Sequence, residues 1–365
     1  MKLATLKDGT RDGTLLVVSR NLKKAVPADH IAPTLQAALD DWDYLAPQLQ
    51  ALSDELNATP SNRAFKLKPA KLMAPLPRAH QFVDGSSYLI HAELIRRSRG
   101  AKEFPGWWKK EPLMYQGCSD PFLGPCDDII VADESCGIDL EMEIAIVTGD
   151  VPMGIERDKA AAHIRLFMLM NDVSLRNLVA HDLEKGFGFL HSKPPSSLSP
   201  VAVTPDELGE AWNGRKLQGV LRAWVNDKLL GEPDAGEDMQ FDFPRLIVHA
   251  AKTRSLSAGT VIGTGTVSNR IRKRGAGCLF ERRAEEIIKK KEAKTPFLKY
   301  GDKVEIEMLD AEGGPLFGSI AQTVVAPAKR GAAQADSADS AGSAESAEAA
   351  DTAESVDSTE SATAE

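Results

Sequence analysis

Leu35, Leu39, Trp42, Leu45, Leu49, Leu52 and Leu56 recur at steps of three and four residues, the spacing of one apolar helix face. Pro47 inside that run predicts a kink, because its ring removes a backbone donor and crowds the preceding turn. Ahead of the stripe, Lys2–Thr5 and Thr14–Ser19 flank Asp8-Gly9-Thr10-Arg11-Asp12-Gly13, which predicts a hairpin. Lys68-Pro69, Ala74-Pro75 and Leu76-Pro77 then punctuate the chain. Residues 1–76 therefore read as a small N-terminal domain.

From 77 to 327 the apolar period is mostly two. Ile138, Leu140, Met142, Ile144 and Ile146 alternate with Asp139, Glu141 and Glu143, so a strand there carries apolar side chains on one face and acids on the other. Val304, Ile306 and Met308 alternate with Glu305 and Glu307. Gly219–Asn226 reads as a strand turning at Asn226-Asp227, Thr260–Val267 as a strand holding Gly263 and Gly265, and Leu316–Val325 as a strand after Glu312-Gly313-Gly314. Helices are predicted over Arg157–Ile164 and about Pro244–Arg254. Strands outnumber helices and no βαβ unit recurs, so the chain reads as α+β, predominantly β.

Residues 328–365 are almost entirely Ala, Ser, Asp and Glu, with no apolar stripe, and predict a disordered, solubilising acidic tail. That tail also explains the net charge of −9. Nine of the 53 Asp and Glu residues lie in 331–365, which leaves 44 acids against 44 Lys and Arg in the body. A neutral body argues against nucleic-acid binding steered by charge. The basic stretch Arg270–Lys291 reads as a solvated helix, since Glu285 faces Lys289 and Glu286 faces Lys290 at i,i+4. No apolar run reaches the ~18 residues of a membrane span, and the N-terminus lacks the apolar stretch of a secretory leader. Four cysteines form no CxxC pair. A cytoplasmic protein, with neither nucleic acid nor membrane as partner, is expected.

Glu141 and Glu143 are same-face strand neighbours ~7 Å apart, so their charges repel unless solvent or a cation intervenes. Spacing alone leaves both a wet strand face and a metal site open. Asp172, after the apolar run 166–170, is a turn cap or a ligand, and Asp84, before Gly85, is a turn residue or a ligand. Four carboxylates without Cys or imidazole suit Mg²⁺ or Ca²⁺, with Mn²⁺ also admissible, better than Zn²⁺. His91 lies seven residues past Asp84 at the start of a polar helical stretch.

Over about 80–326 these pieces, in this order, resemble the fumarylacetoacetate hydrolase family. The matching segments are Asp84-x6-His91, Met114-Tyr115-Gln116-Gly117, Leu140-Glu141-Met142-Glu143, Met170-Asn171-Asp172-Val173-Ser174-x-Arg176, Ser192-Lys193, Ile262–Ser268 and Gly277-Cys278-Leu279-Phe280-Glu281. The resemblance implies a layered mixed β-roll with a small N-terminal domain, commonly as a homodimer. It implies Asp84, Glu141, Glu143 and Asp172 as ligands of Mg²⁺ or Ca²⁺. His91 becomes a general base oriented by Glu281, with Arg176 and Lys193 lining an oxyanion region. Ser86, Arg99, Tyr115 and Thr266 become substrate contacts, and Ser197 falls near the family's hydroxyl residue after the lysine.

The implied reaction is metal-dependent hydrolysis of a carbon–carbon bond in a 1,3-diketo acid. Cleavage of 4-fumarylacetoacetate to fumarate and acetoacetate, in aromatic amino-acid catabolism, is the main expectation. A same-fold decarboxylase, hydratase or isomerase of 2-oxo acids is the alternative, and retention of both His91 and Glu281 favours hydrolysis over it. A non-catalytic interaction protein is the alternative of another class. Ser86 stands where animal members have tyrosine, Val179 replaces a glutamine, and Leu183 or Glu184 a tyrosine, so the acyl substrate stays open.

Overall fold

Strand β1 (Lys2–Leu6) pairs antiparallel with β2 (Thr14–Val18) across the Asp8–Gly13 turn, as the alternation predicts. The computed structural model describes residues 1–59, 61–103, 105–310 and 313–328. Strands β3 (Lys24–Pro27) and β4 (Phe65–Lys66) extend this hairpin outward. The leucine stripe forms two helices, not one kinked helix. In α1 (Leu35–Asp40) the Thr34 hydroxyl accepts the Ala37 N–H; α2 (Trp42–Ala58) follows. The break falls at Asp41, whose ψ of 47° leaves the helical region, while Pro47 lies inside α2. Burial of Leu49 and Leu56 on one side carries that helix through the proline.

The remaining elements, in chain order, are β5 (Gln81–Gly85), α3 (Leu89–Ser98), β6 (Met114–Gln116), β7 (Ile129–Ile130), β8 (Ile138–Asp139), β9 (Met142–Thr148), α4 (Arg157–Ala160), β10 (Ile164–Asn171), β11 (Ser174–Leu175), α5 (Arg176–Glu184), β12 (Ser197–Leu198), β13 (Ala202–Val203), β14 (Leu221–Val225), β15 (Lys228–Gly231), α6 (Phe243–Ala250), β16 (Thr260–Gly263), α7 (Leu279–Lys290), β17 (Lys303–Met308) and β18 (Ile320–Val325). The β14–β15 turn holds Asn226 and Asp227 at φ 49° and 61°, the left-handed pair a two-residue hairpin needs.

An eleven-stranded sheet runs β4-β3-β2-β1-β13-β10-β9-β16-β5-β6, with β12 also on β10, and a five-stranded sheet runs β15-β14-β17-β18-β7. Each contains one parallel pair, β16 with β5 and β18 with β7. The result is an α+β, predominantly β architecture of layered mixed sheets. Strands β9 and β10 are buried on both faces, which the alternation of acids in 138–147 did not suggest. Ile144, Ile146, Phe167 and Leu169 pack toward the five-stranded sheet, against residues such as Ala223 and Ile306. Ala145, Val147, Leu166 and Met168 pack on the opposite side with the leucines of α1 and α2.

Residues 1–76 share this packing: β1 pairs with β13 as well as β2, and Met1–Pro327 pack as one unit. The strand predicted over 138–147 is interrupted, because Leu140 and Glu141 leave the ladder between β8 and β9. Helix α6 stops at Ala250, and Ala161–His163 form a 3-10 turn after α4. The expected tail lies, from residue 329 onward, outside the described residues. Among the described residues no helix is long and apolar enough to cross a membrane.

Candidate active site

Asp84 of β5, Glu143 of β9 and Asp172, just past β10, meet because the sheet register brings them together. Asp84 lies opposite Gly263, Gly263 opposite Ala145, and Glu143 opposite Met170. One oxygen from each carboxylate lies within 4.8 Å of the others, and all three residues are buried. Gly263 leaves room for them: a Cβ there would stand 2.4 Å from Asp84 Oδ1 and 3.1 Å from Glu143 Oε2. Gly265, at φ 75°, donates its N–H to the same two oxygens at 2.9 and 3.0 Å.

One amide does not neutralise two carboxylates. Burial, then repulsion from Asp172, pushes Asp84 up to about 8. Burial and repulsion from Asp84 push Glu143 well above the ordinary carboxylate range. Glu143 Oε1 is buried and has no hydrogen-bond partner among the described residues. A divalent cation fits this arrangement, since it would satisfy that oxygen and remove the repulsion. An all-oxygen donor set suits a hard ion such as Mg²⁺, Mn²⁺ or Ca²⁺.

Glu141, expected as a fourth ligand, is not in this cluster. The chain leaves the ladder there, and Glu141 forms a bridge with Cys278 instead. Its Oε1 accepts the Ser174 hydroxyl at 3.0 Å and pairs with the Arg176 guanidinium, and its Oε2 accepts Thr266 at 2.8 Å. Burial alone would raise Glu141, but Arg176 and Lys193 outweigh it and hold the carboxyl well below its usual range. It anchors two cations. Lys193 also donates to Asp172 Oδ2 at 2.5 Å, where the Tyr115 hydroxyl donates too, and Ser196 donates to Oδ1 at 2.5 Å. Burial would lower the Lys193 ammonium, yet Asp172 and Glu141 raise it, so it stays charged.

His91 on α3 and Glu281 in the first turn of α7 form the expected pair, with Nδ1 3.1 Å from Oε1. Glu281 is fully buried, and its Oε2 accepts the Gly277 N–H at 2.8 Å. Burial pushes its carboxyl up, but the hydrogen bond to His91 and the nearby Arg272 charge outweigh that and lower it. An ionised carboxylate only accepts, so Nδ1 carries a proton, and in the neutral ring Nε2 is then the accepting nitrogen.

His91, Arg176 and Lys193 line one cavity of about 130 Å³ together with Ser86, Tyr115 and Thr266. Arg99, an exposed residue, is not among them: its guanidinium lies 5.6 Å from the centroid of the Phe280 ring, which Arg176 approaches at 5.1 Å. Ser197 is turned away, donating to Gln322 Oε1 at 2.5 Å, and the hydroxyl on Asp172 belongs to Ser196.

Asp139 was not singled out by its place in the acidic alternation. It is fully buried; Oδ2 accepts Arg176 Nε and the Phe280 N–H, both at 2.9 Å, and Oδ1 accepts the Leu279 N–H at 2.8 Å. It thereby ties the arginine of the site to the helix start that carries Glu281. A helix N-terminus 140 residues away is not legible from an acid's local spacing. Asp139→Ala leaves Arg176 Nε and two amides without their acceptor while Glu141 still pairs with the guanidinium, so a loss of about 1–3 kcal/mol in chemical denaturation is expected. An unchanged midpoint would count against this role.

The family model described as fumarylacetoacetate (FAA) hydrolase C-terminal matches residues 81–325, and that of fumarylacetoacetase N-terminal domain 2 matches residues 1–78. The oxaloacetate tautomerase YisK of Bacillus subtilis (strain 168) is 27% identical over 305 residues, 81% of this chain and 89% of that protein. The structure of fumarylacetoacetate hydrolase from psychrophilic Exiguobacterium antarcticum has a TM-score of 0.60 at 19% identity, covering 90% of this chain and 100% of the other. Maleylpyruvate hydrolase from Sphingobium sp. SYK-6, solved with manganese(II) and pyruvate, has a TM-score of 0.59 at 16% identity, covering 89% and 99%. Those two likenesses are of fold. Every strand and helix that carries the carboxylates, the imidazole and the two cations lies within residues 81–325, and the match over that span makes the chain a member of the fumarylacetoacetate hydrolase family.

Proposed function

We propose that this enzyme interconverts the keto and enol forms of a small 2-oxo acid of the oxaloacetate type, with a divalent cation held by Asp84, Glu143 and Asp172. The observation that carries the reading is a convergence: the His91–Glu281 pair, Lys193 and Arg176 meet beside a buried carboxylate cluster at one partly open cavity of about 130 Å³, room for a small acid. The 27% identity to an oxaloacetate tautomerase, over 89% of that protein, supports it.

The cation, when bound, supplies positive charge that lowers the free energy of negative charge on the substrate's oxygens. His91 Nε2 takes the proton from the carbon beside the carbonyl, and the electron pair left behind moves to oxygen. Glu281 holds the ring through Nδ1 and stabilises the imidazolium. Lys193 and Arg176 face the negative charge as it forms. Reprotonation on oxygen gives the enol and returns His91 to its neutral state.

The second reading is hydrolysis of a diketo acid, which would use the same His91–Glu281 pair to take a proton from water. That pair does not divide the two, because an imidazole backed by a carboxylate accepts a proton from carbon as readily in principle as from water. Product analysis divides them. The purified protein with Mg²⁺ or Mn²⁺ is expected to speed the decay of enol-oxaloacetate, to lose this on chelation, and to release no fumarate from fumarylacetoacetate. Fumarate release without faster tautomerisation would replace the proposal with the hydrolytic reading.

A further inference from the structure

After α5 the chain makes a loop whose far end is fixed by one buried carboxylate. Asp182 Oδ2 accepts the N–H groups of His191 and Ser192 at 3.0 and 2.9 Å and the Ser192 hydroxyl at 2.8 Å. The Ser192 carbonyl in turn accepts the Leu175 N–H at 2.8 Å. Lys193 follows immediately, so this clamp also fixes where the loop returns to the site. Before the clamp, Gly186 and Gly188 hold φ of 77° and 93°, conformations that side chains beyond glycine rarely adopt.

The apolar side chains of this loop divide by direction. Phe187 is 100% exposed and Leu190 79% exposed. Phe189 is half-buried and lines the cavity, its ring meeting Tyr115 edge-on with centroids 5.0 Å apart. Tyr115 in turn hydrogen-bonds Asp172 and carries the Lys193 ammonium 5.4 Å from its ring centroid. Nothing in composition separates these three neighbours. The glycine geometry sends Phe189 inward, onto a ring already fixed by the site, while the others point to water.

We infer that Phe189 is a specificity-determining residue: its ring, seated on Tyr115, bounds the cavity on the loop side and restricts it to short 2-oxo acids, excluding those with an aromatic or long acyl substituent. This rests on the tautomerase reading above and adds the limit on its substrate class. A bulky substituent directed to the loop side meets the Phe189 ring and has to displace it from Tyr115, whereas a carboxylate-sized substituent can sit beside it.

The test compares kcat/KM for tautomerisation of oxaloacetate and of phenylpyruvate, with metal present, in the wild type and in Phe189→Ala, Phe189→Leu and Phe187→Ala. Phe189→Ala is expected to shift the ratio toward phenylpyruvate by about 10–100-fold, the scale on which hydrophobic pockets discriminate, and Phe189→Leu by less. Phe187→Ala is expected to leave the ratio unchanged, which separates the inward ring from general loss of apolar surface. If the Phe189 variants still turn over oxaloacetate at an unchanged ratio, the inference is overturned and the tautomerase reading stands. If the wild type accelerates neither substrate, the reading fails and takes the inference with it.

Discussion

Replacing His91 with glutamine lowers turnover by about 10²–10⁴-fold and leaves metal affinity near that of the wild type. Glutamine keeps a polar group at the position but offers no nitrogen that takes and returns a proton near neutral pH. The metal affinity should hold because His91 is bonded to Glu281, while the clustered oxygens belong to Asp84, Glu143 and Asp172. Glu281→Gln is the sharper companion. Its amide can donate to Nδ1, which would favour the tautomer protonated on Nε2 and so block the accepting nitrogen. Both variants therefore lose rate for the same reason, one by deleting the base and the other by occupying it. The check is steady-state kinetics beside a calorimetric metal titration. Turnover within about threefold of wild type in His91→Gln removes His91 as the proton-moving group.

Sequence order disclosed much of this site, because each motif lies where a strand or helix ends and the family's ordered segments mark those ends. Asp84, Glu143 and Asp172 come together through register; the acids at 139, 141 and 143 mark one face of their strand, but the unbroken apolar run 166–170 carries no such mark. What spacing could not disclose was long-range. Treating 138–147 as one strand puts Glu141 on the face of Glu143, and Glu141 does line the cavity with Asp84; what spacing does not show is the break at 140–141 and that its oxygens are taken by Arg176, Ser174 and Thr266. Asp139 has its partners on α7, and Ser196 is distinguished from Ser197 only by which hydroxyl faces Asp172. Phe189 is one of three apolar residues in a glycine-containing loop, and direction alone separates it from Phe187 and Leu190.

The fold was legible for a related reason and illegible in one respect. Local alternation, the leucine stripe and the Asn226-Asp227 turn each name an element by short-range physics. They do not say what an element packs against. The Pro-punctuated stretch near 76 falls where the two family matches meet, at 78 and 81, and across that limit β1 pairs with both β2 and β13, so the N-terminal hairpin continues the sheet that holds the carboxylates. Both faces of β9 and β10 are then covered. That burial turns three ordinary acids into a cluster that repels itself.

Glu143→Gln tests that repulsion, and its two expected effects have opposite signs. Metal affinity falls at least about 100-fold, the upper range even for loss of residues that merely support ligands. The metal-free protein, however, becomes more stable than wild type at pH 8, because an amide of the same shape removes the cost of burying a carboxylate there, which must either ionise beside Asp84 and Asp172 or hold a proton that the unfolded chain would release. The pH dependence follows from Asp84, raised to about 8 against an ordinary carboxylate value near ~4. Its folded form binds more protons than its unfolded form across that interval, so the metal-free wild type loses stability as pH rises through it. A cation must displace the proton, so affinity rises with pH by about tenfold per unit for each proton released. Melting curves at pH 6 and pH 8, with and without Mn²⁺, read both effects at once: saturation at 100 times Kd adds about 2.7 kcal/mol, a shift of several degrees. Wild type should show a larger metal-induced rise at pH 8 than at pH 6, and Glu143→Gln almost none at either. Equal rises at the two pH values, or a Glu143→Gln protein that melts lower than metal-free wild type at pH 8 and still responds to Mn²⁺, would mean that these buried carboxylates do not repel one another around a cation site.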